Sequence, residues 1–413
     1  MALVIRQLRA DTAGEFFDLT ATVRLDGRLD GRDREITFRR HGDHPRLRDR
    51  SDTFDPFAVA LLLPAMLRGE PLVVEGSIDE LLLAALRGPI QDTLRLLDPA
   101  WRRVPVEAEP RPATAMADPT LGAATGMSGG IDSMHVVRHR LLAEQVPEPL
   151  RLRTFVHHHV GAHGDDDAVF AEQYAHARRV ADRLGMPLVG ARCRLGEAYR
   201  GMSFLHSFTM RNVAASMTLD HLFTYFLYAS SHELGARIKL TRFSGMGTLE
   251  SQLLPLFDTL RVFWRSFGGS ATRLQKTAEV IDDERLCGDL LVCIRGFRTD
   301  RAALNCGRCY KCGRLLLQAE AAGRLDAIAP AVDMPAFRSG RNHSLLRLLW
   351  LSLGPTRSGS EIDLVKFLAA TGRPFPWWAR PGVAAVQLLH GRRHSLEAND
   401  APLAAATGSA AAP

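Results

Sequence analysis

Lysine is scarce in this chain: Lys239, Lys276, Lys311 and Lys366 are the only four among 52 basic residues. Arginine supplies the rest, as a GC-rich coding sequence would dictate, so a retained lysine marks a position where an ammonium has a use. Apolar runs are short as well. The longest, Phe57 to Leu67, falls far below the roughly 18 residues needed to span a bilayer, and no membrane partner is expected. Met1 to Arg6 shows no charged region leading into an apolar core, so no export signal is read there and the expected localisation is cytoplasmic. The six cysteines are too few for a disulfide scaffold; in a reducing compartment they read as metal ligands, catalytic thiols or core residues. Internal repeats are lacking, which excludes a solenoid. With 46% hydrophobic and 24% charged residues, the composition is that of a globular chain, not a disordered or collagenous one. A net charge of +6 admits a polyanionic ligand without requiring it. At about 150 residues per domain, 413 residues imply two or three domains.

Residues 1–104 predict a small α+β domain. Gly14 to Arg39 alternates polar and apolar around Asp26-Gly27 and Asp30-Gly31 turn signals, and helical patterns at Phe54–Leu67 and Ile78–Leu97 flank a strand at Pro71–Glu75. A Pro- and Ala-rich linker is expected over 105–120. From 121 to 325 the pattern alternates. Strands are predicted at Leu121–Met127, Leu152–His158, Leu188–Ala191 and Arg237–Thr241, with helices at Asp132–Glu144, Ala168–Leu184 and Asn212–Leu234. That alternation predicts an α/β fold with a doubly wound parallel sheet, whose ligands sit at the carboxyl ends of the strands. Residues 326–400 predict a helical region, in which nine Lys or Arg between 336 and 395 face only Glu361 and Asp363. This basic, tryptophan-containing surface reads either as solvated or as a contact for RNA or an acidic protein. The Ala-rich tail, 401–413, is expected to be disordered.

The most informative segment is Ser128-Gly129-Gly130-Ile131-Asp132-Ser133, between a strand and a helix. Adjacent glycines let successive N–H groups turn inward as an anion nest, the helix adds its positive end, and Ser128 and Ser133 add hydroxyls. Asp132 suits both helix capping and a Mg²⁺ ion. The six residues resemble the SGGxDS signature of the PP-loop ATP pyrophosphatases, the adenine-nucleotide alpha-hydrolase superfamily. The likeness covers about Leu121 to Gln318, with Met134 where many members carry another Ser or Thr. It implies a Rossmann-like HUP fold, ATP and Mg²⁺ as ligands, and cleavage of ATP between its alpha and beta phosphates. The nucleotide would be held by Ser128, Gly129, Gly130, Asp132 and Ser133.

Cys293, Cys306, Cys309 and Cys312, the last three at two-residue intervals, read as a closed tetrahedral Zn²⁺ site over 293–312, with Gly307 and Gly313 permitting the knuckle. Four sulfur ligands leave no position for a catalytic water, so the site is structural; a persulfide or redox role is the alternative. The arrangement is similar to the zinc knuckle of 7-cyano-7-deazaguanine synthases. Cys193 and Cys287 lie outside it and read as core residues, Cys193 being the better candidate for a reactive thiol.

Arg273 and Lys276 share one face if helical, and related proteins carry a similar Arg-x-x-Lys run whose Lys suits the ATP phosphates. Asp132, Lys276 and Arg273 are therefore the candidate catalytic residues; an exposed basic face is the other reading. His157-His158-His159, with His163 and Asp165-Asp166-Asp167, reads as a nucleotide or substrate contact, a metal site, or a polar loop whose Asp caps the next helix. Phe243 to Thr248, with Gly245 and Gly247, reads as a ligand contact or a plain turn. The expected activity is an ATP-dependent ligase. It adenylates a carboxylate or amide oxygen on a small molecule or protein and releases pyrophosphate, and ammonia, an amine or a sulfur donor completes an amide, nitrile or thioamide. Sulfur transfer to tRNA or a metabolite, and a nucleotide sensor without turnover, remain alternatives. A homodimer is admissible.

Overall fold

The structure is a computed structural model and describes residues 2–25, 33–49, 52–112, 116–162, 166–234, 244–293, 303–354, 359–371 and 375–390. No helix among them is long and apolar enough to cross a membrane. Contacts divide the chain into two units. One comprises 1–128, 139–231 and 237–267; the other comprises 129–138, 232–236 and 268–413.

The first unit is built on one mixed ten-stranded sheet. In chain order its strands are β1 (Leu3–Ala13), β2 (Phe16–Leu25), β3 (Asp33–Gly42), β4 (Leu72–Asp79), β5 (Val106–Arg111), β6 (Ala123–Gly126), β7 (Leu152–His159), β8 (Leu188–Cys193), β9 (Tyr225–Ala229) and β10 (Phe263–Phe267). Across the sheet they run β10-β9-β6-β7-β8-β3-β2-β1-β4-β5. The five strands β10, β9, β6, β7 and β8 are mutually parallel, and β3 joins them antiparallel through β8, pairing Phe38 with Cys193. The first hundred residues thus extend the same sheet, and the stretch expected to be a linker contains β5, paired with β4. The turn signals Asp26-Gly27 and Asp30-Gly31 lie outside the described residues.

Helices α1 (Asp55–Arg68), α2 (Glu80–Arg87) and α3 (Pro89–Arg95) precede β5, and α4 (Ile131–Arg140) follows β6. α1 is buried all round from Phe57 to Leu63 and packs on α6 (Phe208–Met217) over the sheet. Pro64 interrupts α1 and has no N–H for the Ala60 carbonyl. The buried Tyr199 hydroxyl donates to that carbonyl instead, at 2.6 Å. Ile78–Leu97 is not one helix: β4 runs to Asp79, whose carboxylate caps α2, and Gly88-Pro89 divides α2 from α3. α5 (Asp167–Arg183) is capped by Asp166. The expected helix Asn212–Leu234 is also corrected: α6 stops at Met217, and Tyr225–Ala229 is β9. A continuous apolar run does not distinguish helix from buried strand, and the aromatics of Tyr225-Phe-Leu-Tyr favour the pleated surface. The strand expected at Arg237–Thr241 lies outside the described residues. α7 (Glu250–Leu253) precedes β10.

The second unit holds most of α4 and the helices α8 (Arg273–Asp282), α9 (Tyr310–Ala321), α10 (Leu325–Ile328), α11 (Met334–Leu353), α12 (Gly359–Ala370) and α13 (Arg380–His390). The expected helical C-terminal region is seen up to residue 390; the tail 401–413 lies outside the described residues.

Candidate functional site

In the second unit, Gly129 takes a φ of +74°, a left-handed conformation suited to glycine, and α4 begins at Ile131. Its carbonyl accepts from Leu291 N–H at 2.8 Å, which ties the loop to the chain leading into Cys293. Ser133 is buried, and its hydroxyl donates to Gly130 O at 2.9 Å. Ser128 immediately precedes this segment.

Helix α8 supplies the cations. Thr272 caps it, with the Gln275 side chain returning to the cap's N–H, so Arg273 opens the first turn and Lys276 lies one turn on. Both reach Asp132: Arg273 at 2.7 Å from Oδ2 and Lys276 at 3.6 Å from Oδ1. Lys276 is only 2% exposed. Asp132 Oδ1 is itself buried and makes no hydrogen bond, so at 3.6 Å Lys276 serves it as a charge. The pairing continues down both helices. His135, one turn after Asp132, places Nδ1 3.1 Å from Glu279, and Arg138 lies 3.4 Å from Glu279 and 3.6 Å from Asp283. Spacing of three and four residues puts each set on one helix face.

More cations belong to this cluster than the sequence reading found. Burial, with Arg273 and Lys276, lowers the His232 pKa while Asp132 opposes the shift. Burial pushes Arg314 down to about 10, helped by Arg273 and opposed by Asp132. Lys311 keeps solvent-exposed area yet sits among enough protein for burial, then Arg273, to lower its pKa; Asp132 again opposes. The same two charges act on all three groups, so one carboxylate stands among five groups able to carry positive charge. The signal that could have found Lys311 was the scarcity of lysine: two of the chain's four lie here.

The four cysteines converge. Their sulfurs lie within 4.8 Å of one another, with Cys309 3.3 Å from Cys312 and 4.0 Å from Cys293, and Cys306 4.0 Å from Cys312. Four Zn–S bonds of about 2.3 Å in a tetrahedron require sulfur separations near ~3.8 Å, so the donor set fits Zn²⁺. Without a cation the thiols penalise one another: Cys293 and Cys309, then burial, raise the Cys312 pKa. Gly307, at φ +66°, holds the knuckle; a Cβ there would lie 2.5 Å from Asp333 O. Asn305, fully buried, was missed by sequence reasoning. Its side chain donates to Leu290 O and Ala331 O at 2.6 and 3.0 Å and accepts from Val292 N–H at 2.9 Å, pinning both approaches to the cluster.

In the first unit the three histidines lie inside β7, not in a loop after it. His157 is buried, its Nδ1 2.7 Å from Met127 O, and burial holds its pKa at about 4. His158, 2.6 Å from Ser216 Oγ, is lowered to about 3 by burial. His163 and Asp165 lie outside the described residues, whereas Asp166 takes the capping role. Beyond Phe243, which is also outside them, Met246–Leu249 forms a 3-10 turn in which Thr248 donates to Gly245 O at 2.8 Å. Cys193 and Cys287 are buried, and burial raises the Cys287 thiol. Comparison with protein-family models, curated proteins and solved structures finds no match.

Proposed function

We propose that this chain is an ATP-dependent ligase of the PP-loop type, which adenylates a carboxylate or amide oxygen and releases pyrophosphate. The observation that carries the reading is the meeting of Arg273 and Lys276 on Asp132, two residues after Gly130. An anion nest beside two fixed cations suits a leaving pyrophosphate, whose charge grows as the alpha–beta bond breaks. A polyphosphate would compete with Asp132 for both cations, and the freed carboxylate, with its buried Oδ1, would turn to the Mg²⁺ that accompanies ATP. Strand order supports the same reading. The parallel strands β8-β7-β6-β9-β10 are third, second, first, fourth and fifth in chain order, an order compatible with a doubly wound sheet. Their order reverses between β6 and β9, and the glycine loop is the segment of chain that follows β6.

Each residue has a part that follows from its chemistry. The backbone of Gly129 and Gly130, with the Ser128 and Ser133 hydroxyls, would cradle phosphate oxygens. Lys276 and Arg273 would neutralise the departing charge. Cys293, Cys306, Cys309 and Cys312 would hold Zn²⁺, which supplies a structural crosslink. The adenylyl acceptor would be a carboxylate or amide oxygen on a small metabolite or protein, from which ammonia, an amine or a sulfur donor then displaces AMP. The thiolation alternative asks for an accessible thiol outside the knuckle; Cys193 and Cys287 both have little exposed area, and Cys193, at the wall of a cavity, is the one that would serve it. The test is product analysis. ATP labelled at the alpha and gamma phosphates is incubated with Mg²⁺, a panel of small carboxylates and amides, and ammonia or sulfide. AMP and pyrophosphate are expected; ADP as the sole product overturns the assignment.

A further inference from the structure

A second cluster of charged side chains lies in the sheet unit, on residues that the phosphate loop does not use. Cross-strand register aligns Asp18 on β2 with Arg39 on β3, Arg39 with Arg192 on β8, and Arg192 with His159 on β7. Register partners share a sheet face, so these four side chains form one row across four strands. The flanking positions of β2, β3 and β8 (Phe17 and Leu19, Phe38, Ala191) point to the opposite face and are buried in the core. The row lies in the middle of the ten-stranded sheet, whose opposite face also carries polar side chains, Arg40 and His158, hydrogen-bonded to Thr218 O and Ser216 Oγ. It opens into a cavity of about 340 Å³ at the carboxyl ends of β7 and β8, which Glu35 and Arg194 also line.

The size is that of a small-metabolite site. The charges narrow the class. Arg39 and Arg192 are direct cross-strand neighbours, an arrangement of like charges that destabilises a sheet unless an anion joins them. Protein carboxylates already hold both. Asp18 takes Arg39 through two bonds of 2.8 and 2.6 Å, and Asp167 takes Arg192 and Arg194. A purely anionic ligand would meet Asp18 and Asp167, beside a Glu35 that Arg9 already holds through two bonds; a purely cationic one would meet three guanidiniums. Only a molecule carrying both signs pairs with both sets.

We propose that this cavity binds a free α-amino acid, its carboxylate between Arg39 and Arg192 and its ammonium toward Asp18 and Glu35. The site stands independently of the phosphate-loop reading. The test is calorimetric titration of the full chain with each of the common amino acids, then with the amine and the deaminated acid of any that binds. At least one amino acid should bind saturably, and each truncated analogue at least about tenfold more weakly, as loss of a charge-assisted pair dictates. Arg192→Gln should abolish this binding. Arg194→Gln, at an exposed position, should weaken it without disturbing the fold, and pyrophosphate binding should be unchanged in both. Absence of saturable binding by any amino acid, equal binding of the analogues, or wild-type affinity in Arg192→Gln would overturn the proposal.

Discussion

Around Asp132, titratable side chains meet in opposite-signed pairs that span two helices, and one member, Lys311, keeps contact with solvent. Along β7, three histidines stand in a row of sequence just as conspicuous, yet two bond to a backbone carbonyl or a neighbouring hydroxyl, and burial holds them neutral. On the proposed function the first group exchanges one partner for another, whereas the second stays as it is. The distinction is one of desolvation. A buried neutral imidazole carries no charge to be compensated, whereas a buried ammonium such as Lys276 needs an anion and is retained at a cost in stability.

The largest way to break this contrast is at the metal. Cys309→Ser should lose stoichiometric zinc and lower the melting temperature by about 10 °C or more, because binding energy at a four-sulfur site is folding energy. Elemental analysis and thermal melts check both; a metal-free protein of unaltered stability would revive a persulfide role for the knuckle. Next comes Lys276→Ala, expected to fold, keep zinc and lose about 10²–10³-fold in pyrophosphate release, with Lys276→Arg in between. Near-wild-type rates in both variants would make Lys276 a packing residue.

Asn305→Ala leaves Leu290 O and the Val292 N–H without partners, whereas Ala331 O keeps its bond from the residue-305 N–H, and it should cost about 2–3 kcal/mol in denaturant unfolding, with weaker zinc retention against a chelator. The smallest effect belongs to β7. Burial lowers the His157 pKa from 6.5 to about 4, so between those values the unfolded chain binds more protons and stability falls as pH drops through the window. His157→Gln should make that decline shallower, by up to about 1.4 kcal/mol per pH unit, and leave anion binding alone.

The parts of this molecule that were legible in its sequence are the parts written locally. The glycine loop, the cysteine spacing, the Asp166 cap and the shared face of Arg273 and Lys276 each follow from residues a few positions apart. What escaped depends on distant partners. β3 joins β8 by pairing residues more than a hundred positions apart, so nothing within 1–104 could reveal that its strands extend the parallel sheet. Asn305 looks like any loop asparagine until Leu290 and Ala331 are brought to it. Arg314 and His232 join the Asp132 cluster only through the fold. For Asn212–Leu234 the failure was different: uniform apolarity carries no period, so the turn from α6 to β9 left no mark.

The central claim is that the Asp132 cluster exists to exchange its carboxylate for a polyphosphate. Titrating pyrophosphate with Mg²⁺ into zinc-loaded protein tests it most directly. The account predicts saturable binding that is lost in Lys276→Ala and intact in His157→Gln. No saturable binding, or equal affinity in wild type and Lys276→Ala, would contradict it.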